Sequence, residues 1–324
     1  MKRYLKLGLG ALFFLACSGQ GAIAADYPDK PINLIVPFSG GGNLDMTARM
    51  LGKSLSEILK QPVVVENKPG AGGAVGGAYV AKSAPDGYRL LLGSPSTIFG
   101  NPLMFAERTS YKVKDLRPVG PVTLTPLLLL SSASSKYKTI DDLKAAIESK
   151  QGTISFAHPG IGTINQVAIL RLQEEVGGDF ISVPFKGSAE GIQELIAGRI
   201  DFSVAEITVS KQLIDAGKLR PIAVIGEQRA AALPDVPTIK ELGIYNVESN
   251  IYTAVLAPAG TPDDVVKTLN DAMRQAIKEP ALQESFAKLG VETLSMTPDE
   301  FQIMLDKDIE KLQALLDKGV IQLQ

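Results

Sequence analysis

The chain has no tryptophan, one histidine and one cysteine among its 324 residues. The cysteine, Cys17, lies near the start, so a mature protein that loses this end has no disulfide and no thiolate site. One histidine without a cysteine partner or a second histidine gives no zinc ligand set. An excess of basic charge is missing as well: 33 Lys+Arg stand against 35 Asp+Glu. Such a balance, without a basic run, argues against nucleic acid and anionic membrane surfaces as partners. Long apolar runs are also absent. A bilayer-spanning helix needs about 20 apolar residues, and the longest stretch, Leu7 to Ala16, is well short of that.

That stretch has another meaning. It follows the positive start Lys2, Arg3 and Lys6 and precedes Ala22-Ile23-Ala24, the layout of a secretory signal peptide cut near Ala24. Residues 1–24 are therefore expected to be removed on export to the periplasm. A lipid-modified Cys17 is the alternative, but Phe14-Leu15-Ala16 is a poor match to that processing site. Without the leader, 30 Lys+Arg face 35 Asp+Glu, a formal charge of −5. About 300 residues remain, more than one hydrophobic core usually organises, so two lobes are expected.

Short apolar runs alternate with helical patterns along the mature chain. Strands are expected at Ile32 to Phe38, Pro62 to Glu66, Tyr88 to Gly93, Thr153 to Ala157 and Ile181 to Phe185. Ile200 to Ala205, Leu219 to Ile225 and Ile251 to Ala257 follow the same pattern, and Leu127 to Leu130 is a buried strand by its length. Continuous apolar runs bounded by Gly and Pro suit strands covered on both faces, hence largely parallel sheets. Leu44, Ala48, Leu51, Leu55 and Ile58 share one helical face, with Asn43 as the expected N-cap. Thr261 is the expected cap of a second helix, with Pro262 at its first position, Asp263 and Asp264 over its positive end, and a stripe of Val265, Leu269, Met273 and Ala276. Thr297 and Glu300 form a capping box for a last helix, whose apolar side holds Phe301, Leu305, Ile309, Leu312 and Leu316. No linker interrupts the middle of the chain, so crossing strands rather than a tether should join the lobes. The architecture is α/β.

Enzyme signatures are few. There is no G-x-S-x-G elbow. Gly52-Lys53-Ser54 ends like a P-loop, but Thr47 occupies the place of its first glycine. The run Gly70 to Gly77 fails as a dinucleotide loop because Val75 stands at the third glycine position. It stays open between a site loop and close helix–strand packing. His158 would need a nucleophile and an orienting acid to act as a base, and nothing suggests a triad. A hydrogen-bonded loop histidine beside Pro159 is the simpler reading.

Three glycine-rich loops carry more information. Pro37 to Asp45 (PFSGGGNLD) lies between the first strand and its helix, where glycines let backbone N–H groups face inward at a positive helix end. That is a carboxylate receptor without a cationic side chain. His158 to Gln166 (HPGIGTINQ) repeats the plan with Thr163, Asn165 and Gln166 as donors. Pro184 to Gly191 (PFKGSAEG) is a third strand-to-helix turn and carries Lys186. All three fall beyond the carboxyl ends of strands, where open α/β sheets bind ligands.

These loops and their order resemble the substrate receptors of tripartite tricarboxylate transporters, the Bug-type receptors. The segments YPDKPINLIVPFSGGGNLDMTARML, VVVENKPGAGG, APDGYRLLLG, VPFKG, IAGRID, AGKLRPIAV, LPDVPTIKELG and APAGTP carry the likeness from Tyr27 to Pro262. It implies a two-lobe periplasmic-binding-protein fold of the flytrap, type II-like kind, each lobe a mainly parallel sheet flanked by helices. One lobe would comprise residues 25–125 and 251–324, the other residues 126–250. Carried over position by position, the ligand carboxylate would meet Phe38, Ser39, Gly41, Asn43 and Asp45 of the first loop, and Ser94 and Ser96. The other lobe would offer Gly160, Gly162, Thr163, Asn165 and Lys186. Three departures border the expected cleft: Gln166 where many members have His, Ala205 where many have Asp (with Glu206 next to it), and Tyr252 where many have Trp.

The expectation is a monomeric, non-enzymatic solute-binding protein, without cofactor or metal, that delivers a small carboxylate to membrane transporter subunits. A dicarboxylate or tricarboxylate, an aromatic carboxylate and an acidic amino acid all stay open as ligands. The alternatives are a carboxylate sensor for a two-component system and a secreted α/β enzyme acting on carboxylates, for which no nucleophile–base pair is visible.

Overall fold

The computed structural model describes residues 27–148, 153–226, 228–245, 247 and 250–317. The expected leader, its cleavage near Ala24 and Cys17 lie outside them.

The chain opens with β1 (Ile32–Val36), which runs parallel to both β2 (Val63–Asn67) and β3 (Arg89–Gly93). Helix α1 (Asn43–Leu59) connects the first two, and α2 (Ala74–Ala81) leads into the third. Leu44, Ala48, Leu51 and Leu55 recur at helical spacing and are all buried, so α1 lies with that stripe on the sheet. After the short α3 (Asn101–Met104) comes β4 (Leu116–Ser132), the longest strand at 17 residues.

The second sheet then builds through α4 (Ile140–Glu148), β5 (Ile154–His158), α5 (Ile164–Val176), β6 (Phe180–Pro184), α6 (Ser188–Ile196) and β7 (Phe202–Glu206). It closes with α7 (Ile207–Asp215) and β8 (Leu219–Ile225). The chain returns through β9 (Asn250–Pro258) and ends with α8 (Asp263–Ile277), α9 (Pro280–Lys288), β10 (Glu292–Thr293) and α10 (Pro298–Asp317).

Strand β4 belongs to both sheets. Its first part, Leu116 to Pro126, pairs antiparallel with β9; its second, Leu127 to Ser132, pairs antiparallel with β7 and β8. In the first sheet β9 lies antiparallel to β3, and in the second β5 runs parallel to β6 and β7. Each lobe therefore has a parallel core with antiparallel crossing strands beside it. Pro118 and Pro121 sit at the two register shifts of the β4–β9 pair, where a missing N–H is tolerated.

Alternate residues of one strand serve opposite faces. Leu34, Val36, Leu90 and Leu92 join one core cluster with Leu51 and Met273, whereas Ile35 and Leu91 join another with Tyr252 and Phe301. The second sheet divides in the same way: Leu127 and Leu129 pack with Phe156 and Phe202, and Leu128 and Leu130 with Ile192 and Leu195. Both faces are covered, which is why these strands have unbroken apolar runs.

Two helix starts differ by one residue from expectation. Gly42, not Asn43, is the N-cap of α1, and Pro262, not Thr261, is that of α8. The capping box of α10 is present: Thr297 N–H donates to Glu300 Oε2 (2.8 Å), and Glu300 N–H to Thr297 Oγ1 (3.3 Å).

Candidate functional site

Strands β1, β3, β5, β6 and β7 all end at the seam between the lobes. After β1 the chain turns through Pro37 to Gly42 into α1; after β5, β6 and β7 it enters α5, α6 and α7. The N-caps of these four helices are Gly42, Thr163, Gly187 and Glu206. All four line one cavity of about 20 Å³. Ser94 and Ser96, just past β3, close a further side, and Phe38, Leu44, Pro159 and Ile251 give it apolar walls. Asn43, Asn165 and Ser188 complete it. A space of this size holds about one water molecule.

The first N–H groups of a helix have no intrahelical partner. Each helix N-terminus also carries about half a positive charge. Four of them around one small space are suited to an anion held by backbone groups. Asn43 adds a side-chain donor: its Oδ1 accepts from Thr208 Oγ1 across the seam (2.9 Å), and its Nδ2 is buried without a partner. The Ser39 hydroxyl is likewise buried and unpartnered.

The lobes touch directly here. Ile164 N–H donates to Ser96 Oγ at 2.9 Å, and Ser39 N–H to the Lys186 carbonyl at 3.4 Å. Glycines make the approach possible. A Cβ on Gly72 would lie 2.2 Å from the Ile161 carbonyl oxygen, and one on Gly187 would lie 2.5 Å from Ser39 Oγ. The run Gly70 to Gly77 thus does two jobs. Gly76 and Gly77 admit Pro37 and Tyr111 within their own lobe, and Gly72 meets the other lobe.

Of the twelve expected site residues, Phe38, Asn43, Ser94, Ser96, Thr163 and Asn165 line the cavity. The other six are placed differently. Gly41 is exposed, with φ +79°, and its N–H donates to Asp45 Oδ2 at 2.9 Å. Asp45 turns away from the cavity onto this loop, onto Arg49 through both carboxylate oxygens (3.0 and 2.8 Å), and onto Asn67 Nδ2 (3.0 Å). Burial works to raise its pKa, but the Arg49, Gly41 and Asn67 hydrogen bonds outweigh it and hold the carboxyl below its usual range. Gly160 and Gly162, with φ +132° and +80°, shape the loop that presents Thr163. Ser39 reaches the seam through its N–H and buried hydroxyl. Lys186 has an exposed side chain and contributes its carbonyl to the seam, so the expected cation is not in the cavity.

His158 is 1% exposed, with Nδ1 2.8 Å from the Gly160 carbonyl and Nε2 2.8 Å from Ser182 Oγ. The two partners fit one neutral tautomer, Nδ1–H donating and Nε2 accepting. Burial pushes its pKa down to about 4, against the Gly160 contact. Its other nitrogen faces the Gly160 carbonyl and not an acid, so the contact with the Ser182 hydroxyl makes no triad, and the ring buttresses the loop.

Tyr252 does not border the cleft. It packs edge-on against Phe301 and donates to Asp308, and its neighbour Ile251 takes the wall position. Ala205 is core, while Gln166 accepts from Gly162 N–H at 2.7 Å. Ser188 and Glu206 were missed. Both stand at the strand-to-helix junctions that marked the other site loops, which is the signal that would have found them. Glu206 is 4% exposed, accepts from Ser188 Oγ (2.6 Å) and Asn165 Nδ2 (3.2 Å), and is pushed up by burial more than those bonds lower it.

Comparison with known proteins identifies the family. Residues 47–320 match the family described as tripartite tricarboxylate transporter family receptor. Protein BugT of Bordetella pertussis is 35% identical over 301 residues, 92% of each chain. The structure of the periplasmic binding protein BugD superimposes with a TM-score of 0.84 at 31% identity, covering 92% of this chain and 100% of that one. MatC of Rhodopseudomonas palustris, solved with bound malate, gives 0.83 at 28% identity over 88% of this chain and 98% of its own.

Proposed function

The chain belongs to the tripartite tricarboxylate transporter receptor family, a family of periplasmic solute-binding proteins and not of enzymes, and from that membership we propose that it captures a small organic carboxylate in the seam and delivers it to membrane transporter subunits. The observation that carries the proposal is the convergence of four helix N-caps on one cavity between the lobes. Malate bound to MatC supports the ligand class. The lobes, taken as residues 25–125 with 251–324 and residues 126–250, part to admit the ligand and close over it. Closure desolvates the carboxylate while backbone N–H groups and Asn43 Nδ2 replace its water. The closed shape is what a transporter distinguishes from the open one. The protein works as an exported monomer, its leader removed near Ala24, and among its described residues no helix is long and apolar enough to cross a membrane.

A thermal-shift screen tests this on the mature protein. Carboxylates should raise the melting temperature and neutral sugars should not; ligand at 100 times its Kd adds about 2.7 kcal/mol of stability. Stabilisation by a sugar, with none from a broad carboxylate panel, would overturn the proposal.

A further inference from the structure

The cavity contains an anion of its own. Glu206 caps α7, lines the space, and is 4% exposed. Its described hydrogen-bond partners, the Ser188 hydroxyl, the Asn165 amide and its own backbone N–H, are all neutral. No Lys, Arg or His is among the described residues lining the cavity. A buried carboxylate without a cation is unfavourable by several kcal/mol. The Ser188 hydroxyl donates to Glu206 Oε2 at 2.6 Å, a bond that favours the ionised form against that burial. The Ser188 hydroxyl bonds one Glu206 oxygen, the Asn165 amide bonds the other, the residue's own N–H adds a third bond, and acceptor capacity remains. A metal ion does not answer this need, because no group of three or more His, Cys, Asp or Glu side chains comes together among the described residues.

The charge balance narrows the ligand further. Four helix N-termini supply on the order of two positive charges. Ionised Glu206 offsets about half of that, which leaves compensation for roughly one ligand anion. We infer that Glu206 is the specificity-determining residue of the site, and that the ligand is a carboxylate of low net charge bearing a protonated nitrogen that pairs with Glu206. The ligand carboxylate lies against the α1 N-terminus and Asn43 Nδ2, and the ammonium group lies against Glu206 between α6 and α7. This rests on the capture function proposed above and names its ligand class. Burial raises the Glu206 pKa in the free protein, and an ammonium partner opposes that shift.

Matched pairs test the inference by titration calorimetry at pH 7.5: aspartate against succinate, glutamate against glutarate, γ-aminobutyrate against butyrate, and phenylalanine against 3-phenylpropionate. In whichever pair fits the cavity, the amino member should bind the wild type at least tenfold more tightly. Glu206→Gln should reduce that preference to threefold or less while the melting temperature of the free protein holds or rises. Equal or tighter binding of the member without nitrogen would overturn the inference, as would tight binding of fully ionised citrate or a preference that survives in Glu206→Gln. The wild-type ranking decides the matter even if the variant fails to fold. If no carboxylate of any kind binds, it is the capture function that fails, a result distinct from a reversed preference.

Discussion

Closure of the seam depends on glycine at position 72, and Gly72→Ala isolates that dependence. The residue has φ 60° and ψ 24°, and the Cβ of alanine would lie 2.2 Å from the Ile161 carbonyl oxygen of the other lobe. Two effects follow. Left-handed backbone costs an L-residue about 1–2 kcal/mol in open and closed forms alike. The contact with Ile161 exists only when the lobes meet, and overpacking against backbone costs about 1–3 kcal/mol. The second term falls on the closed form alone, so affinity for a carboxylate ligand should drop roughly 5- to 150-fold, at tenfold per 1.4 kcal/mol. Gly198→Ala is the control: its φ is +72° and its Cβ would meet nothing within 4 Å. Both variants should lose similar thermal stability, but only Gly72→Ala should lose affinity in calorimetry and show a larger radius of gyration in X-ray scattering with ligand present. Wild-type affinity in Gly72→Ala, or equal losses in both variants, would refute the argument that the lobes bind by closing at this point.

Three further outcomes follow from the same geometry. Asp45→Asn should lower stability by about 1–3 kcal/mol, since the loop N–H and Arg49 lose a charged acceptor, and it should weaken ligand binding only modestly; denaturant unfolding and calorimetry measure the two, and clearly tighter binding would mean that the acid faces the ligand. His158 has a folded pKa near 4 against an ordinary 6.5, so its contribution is complete above pH 6.5 and is lost as pH falls from there towards 4, a loss of a few kcal/mol. The melting temperature should therefore fall across that window and flatten in His158→Gln; identical profiles would show that this histidine does not carry the acid sensitivity. Mass spectrometry of ligand incubated with the wild type should show no conversion, and a new species lost in His158→Ala would put the protein among enzymes.

Much of the fold was legible because burial on both faces of a strand leaves an unbroken apolar run. The runs around Leu34, Leu91, Phe202 and Ala254 are examples. Amphipathic stripes marked α1, α8 and α10 equally well. Strand β4 was legible only from Leu127 to Leu130. Pro118, Pro121 and Pro126 break the pattern of its first part; bulges in the pairing with β9 accommodate the first two, and Pro126 stands where that pairing ends, both tertiary circumstances.

The site divides by the range of the interactions that build it. Asn43, Thr163 and Asn165 stand at local strand-to-helix turns and were found. Lys186 was carried over from the resemblance, and Ser188, two residues on in the same turn, is the residue that lines the cavity. Glu206 was noted only as the neighbour of Ala205 at the expected cleft border, although it stands at the junction of β7 and α7 and lines the cavity. The meeting of Gly72 with Ile161 joins residues from different lobes, and no spacing along the chain encodes it.

The proposed binding of a carboxylate in the seam rests on helix N-termini and the unpartnered amide of Asn43. Its most direct test is a calorimetric titration of a stabilising carboxylate into the wild type and into Asn43→Leu, which removes that donor. Saturable binding at one site per chain, weakened at least tenfold in Asn43→Leu, is the result expected. Undiminished affinity in Asn43→Leu, in a variant shown to be folded, would place the ligand elsewhere and contradict the account.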